Sequence, residues 1–252
     1  MNRRTIAALA IAFSTGVIAY AAQAAEVKNI VIVHGALADG SGWRKATEIL
    51  ERRGFNVTIV QEPITSLADD VAATNRVLDL QEGPSLLVGH SYSGMVITEA
   101  GNRPDVAGLV YVAAFQPKKG ESLLDLAGSK PPAGNGIKQT KDGKYLYLEP
   151  SAFANDFAAD LPREDAAFLA KSQVFASKDA FAAKVGEPAW KSKKSWSIVA
   201  TQDRSINPDL ERNMARRAGS QITEIAASHA VFASQPEKVA DVIEEAARQS
   251  AE

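Results

Sequence analysis

The sequence predicts an α/β fold: a doubly wound, mostly parallel sheet with an inserted cap region. Three observations lead there. Short runs dense in β-branched residues, such as Ile30-Val31-Ile32-Val33, read as strands buried on both faces, as in a parallel sheet. Segments that are apolar at helical spacing alternate with these runs, and parallel neighbours need such crossovers. The alternation breaks over residues 116–192 and then resumes. That stretch is too long for a plain loop in a compact domain.

The first residues form a separate segment. Arg3 and Arg4 make a positive start, residues 6–20 are almost wholly apolar or small, and Ala22-Gln23-Ala24 reads as a cleavage site. This is the pattern of a secretory signal peptide, residues 1–24, cut after Ala24. An uncleaved membrane anchor is the competing reading, although the apolar run is short for a span. The Arg3-Arg4 pair also permits twin-arginine export. The expectation is a periplasmic or secreted protein of residues 25–252, with no stable membrane association after cleavage.

The mature chain opens with a strand over 28–35 and a loop containing Asp39-Gly40-Ser41-Gly42. Trp43, Ala46 and Leu50 then line one face of a helix closed by Gly54. A second strand spans 55–60. Ser66 with Asp69 forms a capping box, and Leu67, Val71, Thr74 and Leu78 stripe the next helix. A third strand starts at Ser85 and stops abruptly at Gly89-His90-Ser91-Tyr92-Ser93-Gly94, after which residues 95–100 continue as a helix. A fourth strand spans 108–115.

Residues 116–192 are punctuated by Pro117, Pro131-Pro132, Gly134, Gly136 and Asp142-Gly143. Residues 145–148 read as a hairpin strand, and 164–173 and 179–184 as short helices. This is the cap, placed over the carboxyl edge of the sheet; an irregular but ordinary α/β segment is the plainer reading. Leu123, Leu126, Phe153, Phe157, Phe168 and Phe175 are its candidates for pocket lining, against the plainer reading of core. The sheet resumes with a strand at 195–201 that ends at Gln202-Asp203. Asn207 caps a helix with Pro208 in its first turn. The last strand, 221–226, ends at Ala227-Ser228-His229, and Val239, Val242, Ile243 and Ala246 stripe the final helix.

Composition narrows the chemistry. The chain has 252 residues, no cysteine and a net charge of −2. Disulfides, thiolate metal sites and cysteine nucleophiles are excluded. The charge gives no electrostatic case for nucleic acid or an anionic membrane. Oligomeric state is not readable.

The strand–turn–helix around Ser91 is a nucleophile elbow. It lifts a serine oxygen clear of the backbone at the end of a strand, and small residues relieve the crowding. The usual pattern is G-x-S-x-G; here Ser93 takes the second glycine position and Gly94 comes one place late. A serine needs a base to take its proton. The chain has three histidines, His34, His90 and His229. Only His229, in the loop after the last strand, is placed to reach Ser91 over the carboxyl edge. The base needs an orienting carboxylate. Asp203, at the end of the strand after the cap, leads; Asp209, a helix turn on, is second; Glu224, mid-strand, points to a face of the sheet. Two backbone N–H groups must stabilise the oxyanion. Tyr92, directly after the nucleophile, and Ala36, in the loop after the first strand, are the candidates, with His34 and Gly35 shaping that loop.

The stretches VIVHGALADGSGWRK, VGHSYSGMVITEA, VYVAAF, VATQDRSINPDL and ASHAVFASQPEKVADVI together resemble the α/β-hydrolase superfamily. They are most similar to its small esterase and hydroxynitrile-lyase-like branch, and they span nearly the whole mature chain. The resemblance implies an α/β-hydrolase fold with Ser91 as nucleophile, Asp203 as acid, His229 as base, and oxyanion donors at Ala36 and Tyr92. It implies a serine esterase acting on a small-molecule ester, with no metal and no organic cofactor; export is expected from residues 1–24. The lyases of that branch carry a lysine after the catalytic histidine, where this chain has Ala230; that disfavours cyanide chemistry. A lyase or perhydrolase using the same site, or a non-catalytic ligand-binding relative, are the alternatives.

Overall fold

The computed structural model describes residues 26–251; the predicted signal peptide lies outside them. The chain runs β1 (Asn29–Val33), α1 (Arg44–Arg52), β2 (Asn56–Val60), α2 (Leu67–Leu78), β3 (Ser85–His90), α3 (Ser93–Ala100) and β4 (Val106–Val112). Next come α4 (Leu123–Ser129), β5 (Ile137–Gln139), β6 (Tyr145–Leu148), α5 (Pro150–Asp156), α6 (Arg163–Ser172), β7 (Ala176–Ser177) and α7 (Lys178–Ala182). It closes with β8 (Lys194–Ala200), α8 (Pro208–Ala218), β9 (Gln221–Ile225), α9 (Val231–Ser234) and α10 (Pro236–Ser250).

Six parallel strands form the main sheet, in the order β2-β1-β3-β4-β8-β9. The chain steps one way from β1 to β2, then crosses back over β1 and continues the other way. With right-handed crossovers that reversal puts α1 on one face and α2, α3 and α8 on the other. Packing agrees: α1 lies on α10, and α2 on α3. The central strands β1 and β3 are buried along their whole length, the result of their unbroken apolar runs. Pairing of Val33 with Gly89, Gly89 with Tyr111 and Tyr111 with Ser197 aligns the carboxyl ends of four strands. The loops that carry His34, Ser91, Asp203 and His229 therefore leave one edge of the sheet.

Three local expectations need correction. β4 starts at Val106 and ends at Val112, because Ala113 turns out of the strand with a φ of 42°. The Ser66–Asp69 box is half made. The Ser66 hydroxyl accepts the Asp69 N–H at 3.1 Å. The Asp69 carboxylate takes the Thr65 and Ser66 hydroxyls instead of the Ser66 N–H, each at 2.8 Å. A reciprocal box closes at Ser122 and Asp125, where none was predicted. Finally, the 116–192 stretch holds the unpredicted helices α4 and α5 and a three-stranded antiparallel sheet, β5-β6-β7.

That stretch lies over the carboxyl edge and is fastened to it by backbone hydrogen bonds. The Leu37 N–H donates to the Val174 carbonyl (3.2 Å), the Ser177 N–H to Ile64 (2.9 Å), the Ala230 N–H to Phe157 (2.9 Å) and the Gly134 N–H to Arg204 (2.7 Å). No helix among the described residues is long and apolar enough to cross a membrane.

Candidate active site

The elbow is strained and clamped. Ser91 has a φ of 54°, a conformation that costs a residue with a side chain about 1–3 kcal/mol. Its N–H donates to the Val112 carbonyl at 3.3 Å, and its carbonyl accepts the N–H groups of Gly94 and Phe115, each at 3.1 Å. The turn after β4 thus grips the elbow on both sides. A Cβ on residue 94 would stand 1.8 Å from the Phe115 carbonyl oxygen, so this position admits only glycine. The late glycine sits where that carbonyl enters. Ser93 fits where the usual pattern has glycine, and its hydroxyl meets the His34 carbonyl and, at 2.6 Å, Glu62 Oε2.

The structure brings Ser91, His229 and Asp203 into one hydrogen-bonded line. His229 Nε2 lies 2.9 Å from Ser91 Oγ, and Nδ1 lies 2.5 Å from Asp203 Oδ2. The other Asp203 oxygen accepts the N–H groups of Ser205 (2.7 Å) and Ile206 (2.8 Å), which orients the carboxylate. Asp203 accepts at Oδ2, so Nδ1 carries the proton and Nε2 is free to take one from Ser91. Behind Asp203, burial pushes the Glu211 carboxyl well above the usual carboxylate range, and Asp203 itself adds to that.

The other sequence candidates lie elsewhere. Asp209 pairs with Lys130 (2.7 Å) and Arg212 (2.9 Å) at the surface. Glu224 forms a two-pronged pair with Arg212, at 2.9 and 2.8 Å. His90 is buried and braces His229: its Nε2 donates to the His229 carbonyl at 3.0 Å. Burial drives its pKa well below the ordinary value, with His229 next in effect, so the ring is neutral.

Ala36 and Tyr92 border the same cavity as Ser91. Among the described residues, neither N–H has a protein partner, whereas the Leu37 N–H is taken by Val174. The peptide joining Gly35 to Ala36 is held by its other end. His34 Nε2 accepts the Glu62 N–H at 3.0 Å, which leaves Nδ1 protonated to donate to the Gly35 carbonyl at 2.9 Å. In a trans peptide the N–H points opposite to the carbonyl. The Ala36 N–H is therefore directed away from His34. Burial lowers the His34 pKa and keeps the ring neutral in this role.

The cavity over Ser91 encloses about 650 Å³ of empty space, part of it open to solvent. Its walls are mostly apolar and include Leu123, Leu148, Phe157 and Phe181. Of the six cap residues singled out from sequence, only Leu123 and Phe157 line it. Leu126 and Phe153 are buried core, and Phe168 and Phe175 are 58% and 46% exposed. Among the described residues, Arg204 is the only lysine or arginine in the lining; it lies 3.8 Å from Asp156, another lining residue.

Two groups escaped the sequence reading. Glu62 lies two residues past the end of β2, a position equivalent to those that flagged Asp203 and His229, but a single glutamate there carried no motif. Asp160 lies in the cap and accepts the Ser228 N–H at 3.1 Å and the Ser228 hydroxyl, holding the residue before His229. No local pattern announces a contact made across 68 residues.

The profile of the alpha/beta hydrolase family matches residues 30–242. A carbendazim hydrolyzing esterase of Nocardioides sp. is 34% identical over 112 residues, 39% of this chain and 46% of that one, so the match spans less than half of either. A pyrethroid hydrolase of Sphingobium wenxiniae is 27% identical over 256 residues, covering 90% of each chain. The crystal structure of a pyrethroid hydrolase from Sphingobium faniae superposes with a TM-score of 0.77 at 24% identity, covering 88% of this chain and 97% of that one.

Proposed function

This chain belongs to the alpha/beta hydrolase family, and from that premise we propose that it is a serine hydrolase that cleaves small carboxylic esters. The observation that carries the reading is the unbroken line from Asp203 through His229 to Ser91, ending in an apolar cavity. Ser91 Oγ attacks the ester carbonyl carbon while its proton passes to His229 Nε2. The Ala36 and Tyr92 N–H groups hold the resulting oxyanion. The intermediate collapses, the C–O bond to the alcohol breaks, and the alcohol leaves with the proton from His229. Water then attacks the acyl-enzyme, giving its proton to His229; the acid departs and Ser91 Oγ recovers the proton. The steps need neither metal nor organic cofactor.

Esterases among the relatives support ester cleavage, and the cavity walls favour apolar acyl or alcohol groups. Ala230 directly follows His229, so no ammonium stands beside the base, which weighs against a cyanohydrin lyase. Export to the periplasm or medium is part of the proposal and rests on residues 1–24 alone; an intact Met1 on the native protein would remove it.

A fluorophosphonate probe tests the reading directly. Wild type is expected to label at Ser91 and to hydrolyse short p-nitrophenyl esters. Ser91→Ala and His229→Ala each lose turnover while circular dichroism is unchanged. A folded wild type that takes no label would make the chain a non-catalytic binding protein instead.

A further inference from the structure

Ser93 replaces a glycine of the elbow pattern, and nothing in the acyl-transfer steps uses its hydroxyl. The hydroxyl is buried between two acceptors, the His34 carbonyl and Glu62 Oε2, the latter at 2.6 Å. A hydroxyl has one proton to donate. Both contacts are hydrogen bonds only if one partner supplies a second proton, and a backbone carbonyl has none. The second proton therefore sits on Glu62. The rest of that side chain agrees: Glu62 is 4% exposed, and its Oε1 has no partner among the described residues. A buried carboxylate with a bare oxygen would be costly, whereas a neutral acid is tolerated.

We propose that Glu62 is held as a neutral carboxylic acid and that its hydrogen bond, continued through Ser93 to the His34 carbonyl, positions the Gly35–Ala36 peptide as an oxyanion donor. Glu62 grips His34 twice, since its N–H also donates to the His34 ring at 3.0 Å and so keeps Nδ1 on the Gly35 carbonyl. Main chain and ring of His34 are fixed to one residue, and the Ala36 N–H follows from them. Three groups from other elements face Glu62: Ser93 from α3, His34 from the end of β1, and Asp70 from α2. Asp70 in turn accepts the Tyr92 hydroxyl at 2.7 Å. Burial raises the Glu62 pKa well above the usual carboxylate range, and Asp70 adds to the rise. Glu62 and Ser93 are positioning residues; they act through His34 and touch no reacting atom.

The inference rests on the hydrolase reading, and the test separates the two. Removing an oxyanion donor lowers kcat by about 10²–10³; loosening one is expected to lower it about tenfold. Ser93→Ala should lose about tenfold in kcat on p-nitrophenyl acetate with KM within twofold, and bind a trifluoromethyl ketone about tenfold more weakly. Glu62→Gln, whose amide can still donate to Ser93, should keep most of the activity that Glu62→Ala loses. The infrared difference spectrum of wild type minus Glu62→Gln at pH 7 should show a neutral carboxyl band. A missing band, or a folded Ser93→Ala variant with wild-type kcat and ketone affinity, overturns the inference and leaves the hydrolase reading standing. A wild type inert to fluorophosphonate overturns both.

Discussion

Replacing Asp203 with asparagine changes one atom of the triad and should silence it through the tautomer of His229. Oδ1 of Asp203 accepts two N–H groups, from Ser205 and Ile206, while Oδ2 faces His229 Nδ1. An amide can serve those places in two ways. With its oxygen on the two N–H groups, its NH₂ meets Nδ1, which must then accept. The ring proton moves to Nε2, facing Ser91, where it blocks proton transfer. In the flipped amide both backbone N–H groups lose their acceptor, at about 1–3 kcal/mol each. The non-productive arrangement is therefore favoured by at least about 2 kcal/mol, roughly thirtyfold, at about 1.4 kcal/mol per factor of ten. Comparable exchanges in serine triads lower kcat by about 10⁴, or about 5 kcal/mol of barrier. The assay is kcat on p-nitrophenyl acetate for Asp203→Asn, with circular dichroism to confirm the fold. Asp209→Asn serves as the parallel case. Its carboxylate is exposed and paired with Lys130 and Arg212, so kcat should stay within twofold. An Asp203→Asn variant within tenfold of wild type would refute the tautomer argument and the assignment of Asp203.

Gly94→Ala should prevent folding or lower Tm steeply. The added Cβ meets the Phe115 carbonyl at 1.8 Å, and backbone on that side cannot move without releasing Ser91; a soluble variant with wild-type Tm would contradict the clamp. The Asp70 carboxyl is raised from an ordinary 3.8 to about 6, chiefly by burial, so the folded protein binds its proton more tightly than the unfolded chain does. Its contribution to stability is therefore full below about pH 4 and lost as pH rises through about 6, a swing of about 3 kcal/mol at 1.36 kcal/mol per pH unit. Asp70→Asn should lose less stability than wild type between pH 4 and 7 in urea titrations, and equal losses would exclude the shift.

The residues of the proposed triad, which the structure brings into one hydrogen-bonded line, could be picked out because each obeys a local rule. Ser91 ends a buried strand in a cramped turn, and Asp203 and His229 end later strands in the order expected for this architecture. Glu62 obeys the same placement rule but has no accompanying motif, and Ser93 read as a size substitution because its partners, Glu62 and the His34 carbonyl, lie 31 and 59 residues away. The cap was least legible. Its helices α4 and α5 are seven residues each, too short to announce themselves by periodicity and stabilised by what they pack on. Phe168 and Phe175 show the limit from the other side: large apolar residues predicted for lining or core lie exposed, since hydrophobicity does not say which surface a residue faces.

Residue order alone determined the α/β alternation, the parallel sheet and the choice of Ser91, His229 and Asp203 as the proposed triad, because strand and helix periods and turn geometry are local properties of the chain. Tertiary structure decided the rest: the tautomer of His229, the direction of the Ala36 N–H, the proton shared by Glu62 and Ser93, and which cap residues border the cavity. These depend on hydrogen bonds between residues far apart in sequence, whose energies exist only once the sheet brings its loops to a common edge.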